Sequence, residues 1–233
     1  MLILALDTSG KVASAALCRD GAVIAEETRD SGFEHSRTIL PVCEALLARC
    51  GVALRDVDVF AATAGPGSFT GLRIGTAAVK GFGWALQKPC AAISTLESAA
   101  DAAQSACGTL CALVHARADE FFWALFSRAE DTLTRLTPDA VARQHDILHA
   151  LPQEGITLCG DGADAFYRFA QAGGAQGAML TPSHTVQSAG STTRRAYALA
   201  LQDALCSCHD CNPVYLRVTQ AERQKAEKEG KTL

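Results

Sequence analysis

The stretch Ala64-Gly65-Pro66-Gly67-Ser68-Phe69-Thr70-Gly71-Leu72-Arg73-Ile74-Gly75 joins an apolar run, residues 57–63, to a helix-like segment, residues 72–86. Strand, glycine-rich turn and helix in that order can cradle phosphate: a helix N-terminus points free N–H groups outward and glycine lets a ligand reach the backbone. The spacing fits neither common version. A P-loop needs Gly-Lys and then Ser or Thr at the helix start, whereas Leu72 and Arg73 follow Gly71. The dinucleotide fingerprint puts two residues between its second and third glycines, and three separate Gly67 from Gly71. A tight turn that lets helix and strand pack closely is the plainer reading of the same glycines.

Two other groupings carry donor atoms. Cys206-Ser207-Cys208-His209-Asp210-Cys211 sets three thiols and an imidazole within six residues, enough to hold a soft metal. Structural zinc sites use two separated pairs, however, and no second half lies nearby, so local thiol chemistry or plain loop composition is favoured. The remaining seven of ten cysteines fall at otherwise apolar positions and read as small buried hydrophobes with reduced thiols. His145 and His149 would share one face of a helix. A helix over 139–151 that buries Val141, Leu148 and Leu151 leaves both imidazoles on a solvated flank, and no metal is expected there.

The elements that position these residues follow from length and pattern. A chain of 233 residues that is 48% hydrophobic can bury one large core or two small ones. A net charge of −4 without a long basic run before the tail predicts poor binding to nucleic acid by this chain alone. The apolar N-terminus stops at Asp7, too short for a signal peptide or a membrane span, which predicts a cytoplasmic protein. Three strands are expected in residues 1–30, with Asp20-Gly21 as a hairpin turn. An amphipathic helix over 36–50 follows, ended by Gly51; then come the strand, turn and helix described above. A strand at 90–93 leads to a helix from Ser94, whose Ser94-Thr95-Leu96-Glu97 resembles a capping box. Residues 109–115, 121–127 and 132–137 read as three more strands, followed by a helix, a strand at 156–159, Gly160-Asp161-Gly162 opening another helix, and a last helix over about 192–205. Three strands, helix, strand, helix, occurring twice, describe a duplicated α/β unit with mixed sheets.

Leu4-Ala5-Leu6-Asp7-Thr8-Ser9, Glu34-His35-Ser36-Arg37 with Leu40-Pro41, the loop from Gly65 to Gly75, Ser94-Thr95-Leu96-Glu97 and Pro213-Val214-Tyr215-Leu216-Arg217 follow one another along the chain. In their order and spacing, across about the first 217 residues, the sequence resembles the TsaB (YeaZ) family, of which the Gly65 to Gly75 loop is the hallmark. The resemblance implies two ribonuclease-H-like subdomains, as in actin, Hsp70 and sugar kinases. The expected division is residues 1–106 and 107–191, a helical segment of about 192–217 packing back on the first, and a polar tail of 218–233.

The resemblance also implies a function: a non-catalytic subunit that binds and activates TsaD, the transferase that forms threonylcarbamoyladenosine in tRNA. The implied partners are a TsaD-like paralogue, a TsaE-like ATPase in a larger complex, and a second copy when alone, with tRNA reached only through the complex. TsaD binds its metal through two histidines four apart after the fifth strand, and residues 93–103 here hold no histidine. No catalytic residue, metal or cofactor is therefore expected. Actin-like ATPases use an aspartate at the end of the first strand together with a glycine turn, which makes Asp7, Gly65 and Gly67 a vestigial nucleotide site. Here Thr8-Ser9 adds bulk, and a structural role for Asp7 is preferred. At position 115, two before Arg117, a histidine stands where the family pattern has aspartate. For the partner surface, Ile74, Ala78 and Phe82 are assigned to the chain's own sheet. Leu72, Thr76, Val79, Lys80 and Gly83, with Ile39 of the preceding helix, are assigned to the interface. The alternative is an autonomous enzyme, a degenerate ATPase or a metallopeptidase, the latter lacking His-Glu-x-x-His.

Overall fold

The computed structural model describes residues 1–217 apart from 31, 33, 131, 153–154, 174–179 and 183–187, so the tail lies outside the described residues. Two mixed sheets form the frame. The first has the order β3-β2-β1-β4-β5, built from β1 (Leu2–Asp7), β2 (Val12–Arg19), β3 (Ala22–Asp30), β4 (Val59–Gly65) and β5 (Cys90–Ser94). β1 to β3 are antiparallel, while β4 and β5 run parallel to β1. The second sheet repeats this in β6 (Gly108–Arg117), β7 (Glu120–Ala129), β8 (Thr132–Arg135), β10 (Ile156–Cys159) and β11 (Leu180–Pro182), ordered β11-β10-β6-β7-β8. This is the doubled ribonuclease-H-like fold that the resemblance implies.

Burial explains the apolar runs. Leu2, Leu4 and Leu6 of β1 face one core with α1 (His35–Cys50) and α2 (Phe69–Leu86), while Ile3 and Ala5 face another with Ala196 of α6 (Ala189–Leu201). A strand covered on both faces loses the polar alternation of a half-exposed one. On the second sheet, Cys111, Leu113 and Phe121 meet α5 (Ala163–Ala172) and α4 (Gln144–Ala150). Its other face, through Leu110, Val114 and Phe126, meets Leu96 and Ala100 of α3 (Thr95–Ala102). α3 and α6 therefore lie side by side between the sheets. They are joined by Arg194 Nε to Asp101 Oδ2 at 2.7 Å and Arg195 Nε to Glu97 Oε1 at 2.7 Å.

Local signals hold at several ends. Asp20 and Gly21 both take positive φ, 50° and 86°, as the two-residue hairpin requires. Gly51 caps α1 in the left-handed region, and Ser94 Oγ accepts the Glu97 N–H at 3.3 Å. Other elements depart from expectation: α2 starts at Phe69 rather than at 72, and β11 stands where no strand is expected. The segment predicted as one helix over 139–151 begins as a strand, β9 (Ala140–Arg143), paired with β7, and α4 starts only at Gln144. β7 is longer than its neighbour β8, so its free half recruits the chain after Pro138 before a helix can start. The last helix stops at Leu201, and a loop follows in which Cys206 forms a β-bridge with Cys90.

Candidate functional site

A cavity of about 400 Å³ opens between the sheets at the carboxyl ends of the parallel strands, where α/β folds hold ligands. Ser9 and Lys11 of the first hairpin and Ser68 of the hallmark loop line one wall; His115, Asp161 and Arg217 line the other. Sequence reasoning left Asp161 and Arg217 out of any site. The available signal was Gly160-Asp161-Gly162, which follows β10 in the second half as Gly65-Pro66-Gly67 follows β4 in the first. Asp161 Oδ1 accepts the His115 backbone N–H at 3.2 Å, and Arg217 pairs with Glu120 at 3.3 Å, so polar groups of this wall bind each other.

The hallmark glycines serve close packing. A β-carbon on Gly67 would stand 2.6 Å from the Ser9 carbonyl oxygen, and one on Gly75 would stand 2.5 Å from Thr8 Oγ1. At Gly71 the Thr8 carbonyl oxygen fills the space outright, and at Gly65, with φ of 130°, the Val214 carbonyl does the same. The start of α2 is already served by the chain itself. The Ser68 N–H donates to the Ser9 carbonyl at 2.8 Å, the Gly71 N–H to Ser68 Oγ at 3.2 Å, and the Leu72 N–H to the Ser68 carbonyl at 2.8 Å. These three backbone groups are thus spent on the Thr8-Ser9 turn, the helix cap and the first helical hydrogen bond.

Asp7 lies behind that turn and is fully buried. Its Oδ1 accepts three hydrogen bonds: from the Ser9 N–H at 2.9 Å, Ser9 Oγ at 2.7 Å and Thr63 Oγ1 at 2.9 Å. Oδ2 has no hydrogen-bond partner among the described residues. Burial pushes the carboxyl pKa up; the Ser9 and Thr63 hydrogen bonds and the nearby His35 oppose the shift. Asp7 therefore organises the first turn through one oxygen, as the structural reading expects, and leaves the other bare.

The interface assignment on α2 does not hold in the structure, which turns most of those residues inward. Leu72 and Val79 are 0% exposed, Thr76 and Gly83 are buried, and Ile39 of α1 is 1% exposed. Ile39 and Val79 belong to the core over the first sheet, and Ile74, Ala78 and Phe82 pack only at its margin. Spacing by three and four defines a helical face without saying which face turns inward. Here the small residues Gly71 and Gly75 decide it, because they alone let the helix approach Thr8. Lys80 is half-buried, donating to the His209 carbonyl at 3.2 Å and to Asn212 Oδ1 at 2.7 Å. The outward face instead carries Arg73, Ala77, Gly81, Trp84 and Ala85, with Trp84 64% exposed.

The other candidates resolve into structure. Cys206 exchanges backbone hydrogen bonds with Cys90, both at 2.8 Å, and Cys211 is buried under α2. The thiols of Cys90 and Cys211 are pushed up to about 12 by burial and by neighbouring cysteines. His145 and His149 are exposed on α4, their Nε2 atoms 3.3 Å apart, while Ile147 anchors the helix from its buried side. Among the described residues, no three His, Cys, Asp or Glu side chains are arranged to hold a metal ion. Nor does any described helix have the length and apolarity to cross a membrane.

The family model of TsaD, tRNA N6-adenosine threonylcarbamoyltransferase, matches residues 26–208. The tRNA threonylcarbamoyladenosine biosynthesis protein TsaB of Bacillus subtilis is 32% identical over 154 residues, 66% of this chain and 67% of that protein. The protein of the same name from Escherichia coli is 34% identical over 167 residues, 68% of this chain and 71% of that one. Among solved structures, YeaZ from Pseudomonas aeruginosa superposes with a TM-score of 0.81 at 27% identity, covering 92% of this chain and 99% of that one.

Proposed function

The chain belongs to the TsaB (YeaZ) family of tRNA threonylcarbamoyladenosine biosynthesis proteins, and from that premise we propose that it is the non-catalytic subunit that binds and activates a TsaD-type transferase. The observation that carries this reading is the outward side of the α1–α2 layer. On α1, Leu40 is 50% exposed with Pro41 and Ala45 also turned to solvent; on the neighbouring α2, Trp84 is 64% exposed with Ala77 and Gly81 turned to solvent. A β-carbon on Gly81 would meet nothing within 4 Å, so the surface is flat enough there for another helix to approach. Two adjacent helices with small residues around two apolar anchors suit a helical partner, and the paralogous transferase supplies one in the same fold. In the absence of that partner, a second copy covers the face, and a TsaE-like ATPase joins the larger complex.

The lack of a P-loop lysine and of the dinucleotide glycine spacing supports a partner role over an autonomous ATPase. Transfer of RNA chemistry to a partner also suits a net charge of −4. The test is reconstitution from purified chains with tRNA, ATP and threonylcarbamoyl-adenylate. Modified adenosine should form only when the TsaD-type transferase is present and should rise when this chain is added. Product made by this chain alone would establish the enzymatic alternative.

A further inference from the structure

Residues 213–217 meet the outward side of α2 only at its start, through Phe69 and Arg73, and they are fastened to both halves of the fold. On the first half, the Val214 N–H donates to the Ala64 carbonyl at 2.7 Å, and the Val214 carbonyl occupies the space left open by Gly65. The Tyr215 ring stacks on Phe69, centroids 4.8 Å apart and planes inclined by 22°, and its hydroxyl accepts from Arg73 Nε at 2.8 Å. On the second half, Leu216 packs against the cluster of Leu110, Val114 and Phe122. Arg217 Nη2 then reaches Glu120 Oε2 at 3.3 Å and lines the cleft. That carboxylate oxygen is buried and accepts no hydrogen bond among the described residues, so Arg217 supplies the charge that compensates it.

We propose that residues 213–217 are a clasp between the lobes that fixes the aperture of the cleft. The argument is one of reach. Three residue steps from Val214 to Arg217 span at most about 11 Å when fully extended, so the second sheet cannot swing away while both ends hold. The anchors are of different kinds, a backbone hydrogen bond, a stacked ring, a buried leucine and an ion pair, and together they hold against the hinge motion common to two-lobed folds. Gly65 is part of the device, because any side chain there would push Val214 off β4. The inference concerns the isolated chain and stands or falls separately from the choice of partner.

Hydrogen exchange of the full chain, read by mass spectrometry, tests it. In Arg217→Ala and in Tyr215→Ala, exchange should accelerate about tenfold or more at both cleft walls, residues 9–11 with 67–70 and residues 114–122, while β1 and α6 stay protected. Arg217→Lys, which keeps the charge, should return the walls to within about threefold of the parent. Acceleration confined to 213–217 would overturn the proposal. So would an equal rise through both sheet interiors, which would mark the segment as an ordinary contributor to stability. Should Tyr215→Ala unfold the chain, Tyr215→Phe removes only the hydrogen bond from Arg73. Walls unchanged in that variant and in Arg217→Ala would count against the clasp.

Discussion

Thr8 and Gly71 are locked together: the Thr8 hydroxyl donates to the Gly71 carbonyl at 2.7 Å, and the Thr8 carbonyl lies where a Gly71 β-carbon would stand. Backbone meets backbone there, so neither side can yield by rotating a side chain. Gly71→Ala should therefore destabilise the chain by about 3 kcal/mol or more, at the upper end for overpacking. Gly81→Ala, on the open side of the same helix, should be neutral or stabilise by up to about 1 kcal/mol through helix propensity. Urea unfolding of the two variants beside the parent decides it, and equal effects would mean that the Thr8 contact carries no weight.

Val79 and Trp84 separate folding from partnership on one helix. Val79 is wholly buried over the first sheet, so Val79→Glu places a carboxylate in the core and should cost about 4 kcal/mol or more, if the chain folds at all. Trp84→Glu should leave stability within about 0.5 kcal/mol of the parent, as for most exposed sites. It should nonetheless abolish co-elution with a TsaD-type transferase on size exclusion. A Trp84→Glu chain that still binds would move the interface away from this face.

Local rules were legible in the sequence where one residue carries the decision. The Asp20-Gly21 turn, the Gly51 cap and the Ser94 cap each need a particular side chain or a positive φ, and each was found where it was expected. The doubled strand and helix order was legible for the same reason, as periodicity survives in the residues themselves. What could not be read was the direction in which α2 faces. Its two sides are both apolar, and the choice between them is made by Thr8, more than sixty residues away in sequence. β9 was missed likewise, because Val141 satisfies a helical pattern as well as a strand and the unpaired half of β7 selects the strand. Arg217 reaches the cleft wall, and its pairing with Glu120, only through the path of the chain after Val214.

The cysteines should divide sharply in reactivity. Burial pushes Cys43, Cys90, Cys159 and Cys211 up from 9.0 to about 12, whereas Cys107 is exposed. Three units above the ordinary value leaves about a thousandfold less thiolate at neutral pH, before any steric protection is counted. Iodoacetamide under native conditions should thus modify Cys107 first and reach those four only on the timescale of unfolding. Peptide mapping over time checks this, and early labelling of Cys211 would show that the 206–211 loop opens locally.

Asp7 gives a pH dependence whose sign can be worked out. Burial raises its pKa above the ordinary 3.8, against the opposing pull of Ser9, Thr63 and His35. Between 3.8 and the raised native value, the folded chain keeps a proton that the unfolded chain has released. Asp7 therefore contributes most below its unfolded pKa, and that contribution is lost as pH rises through the native value, at up to about 1.4 kcal/mol per pH unit. Asp7→Asn cannot titrate. Its amide nitrogen, placed where Oδ2 now has no partner, adds a cost that does not vary with pH. The stability of the variant minus that of the parent should accordingly rise with pH across this window and level off above it. Urea unfolding of both chains at matched pH values measures that difference. A flat difference would mean that Asp7 titrates alike folded and unfolded. One that falls with pH would mean that the three hydrogen bonds to Oδ1 outweigh burial, and that the carboxylate, not the acid, is the form the turn was built around.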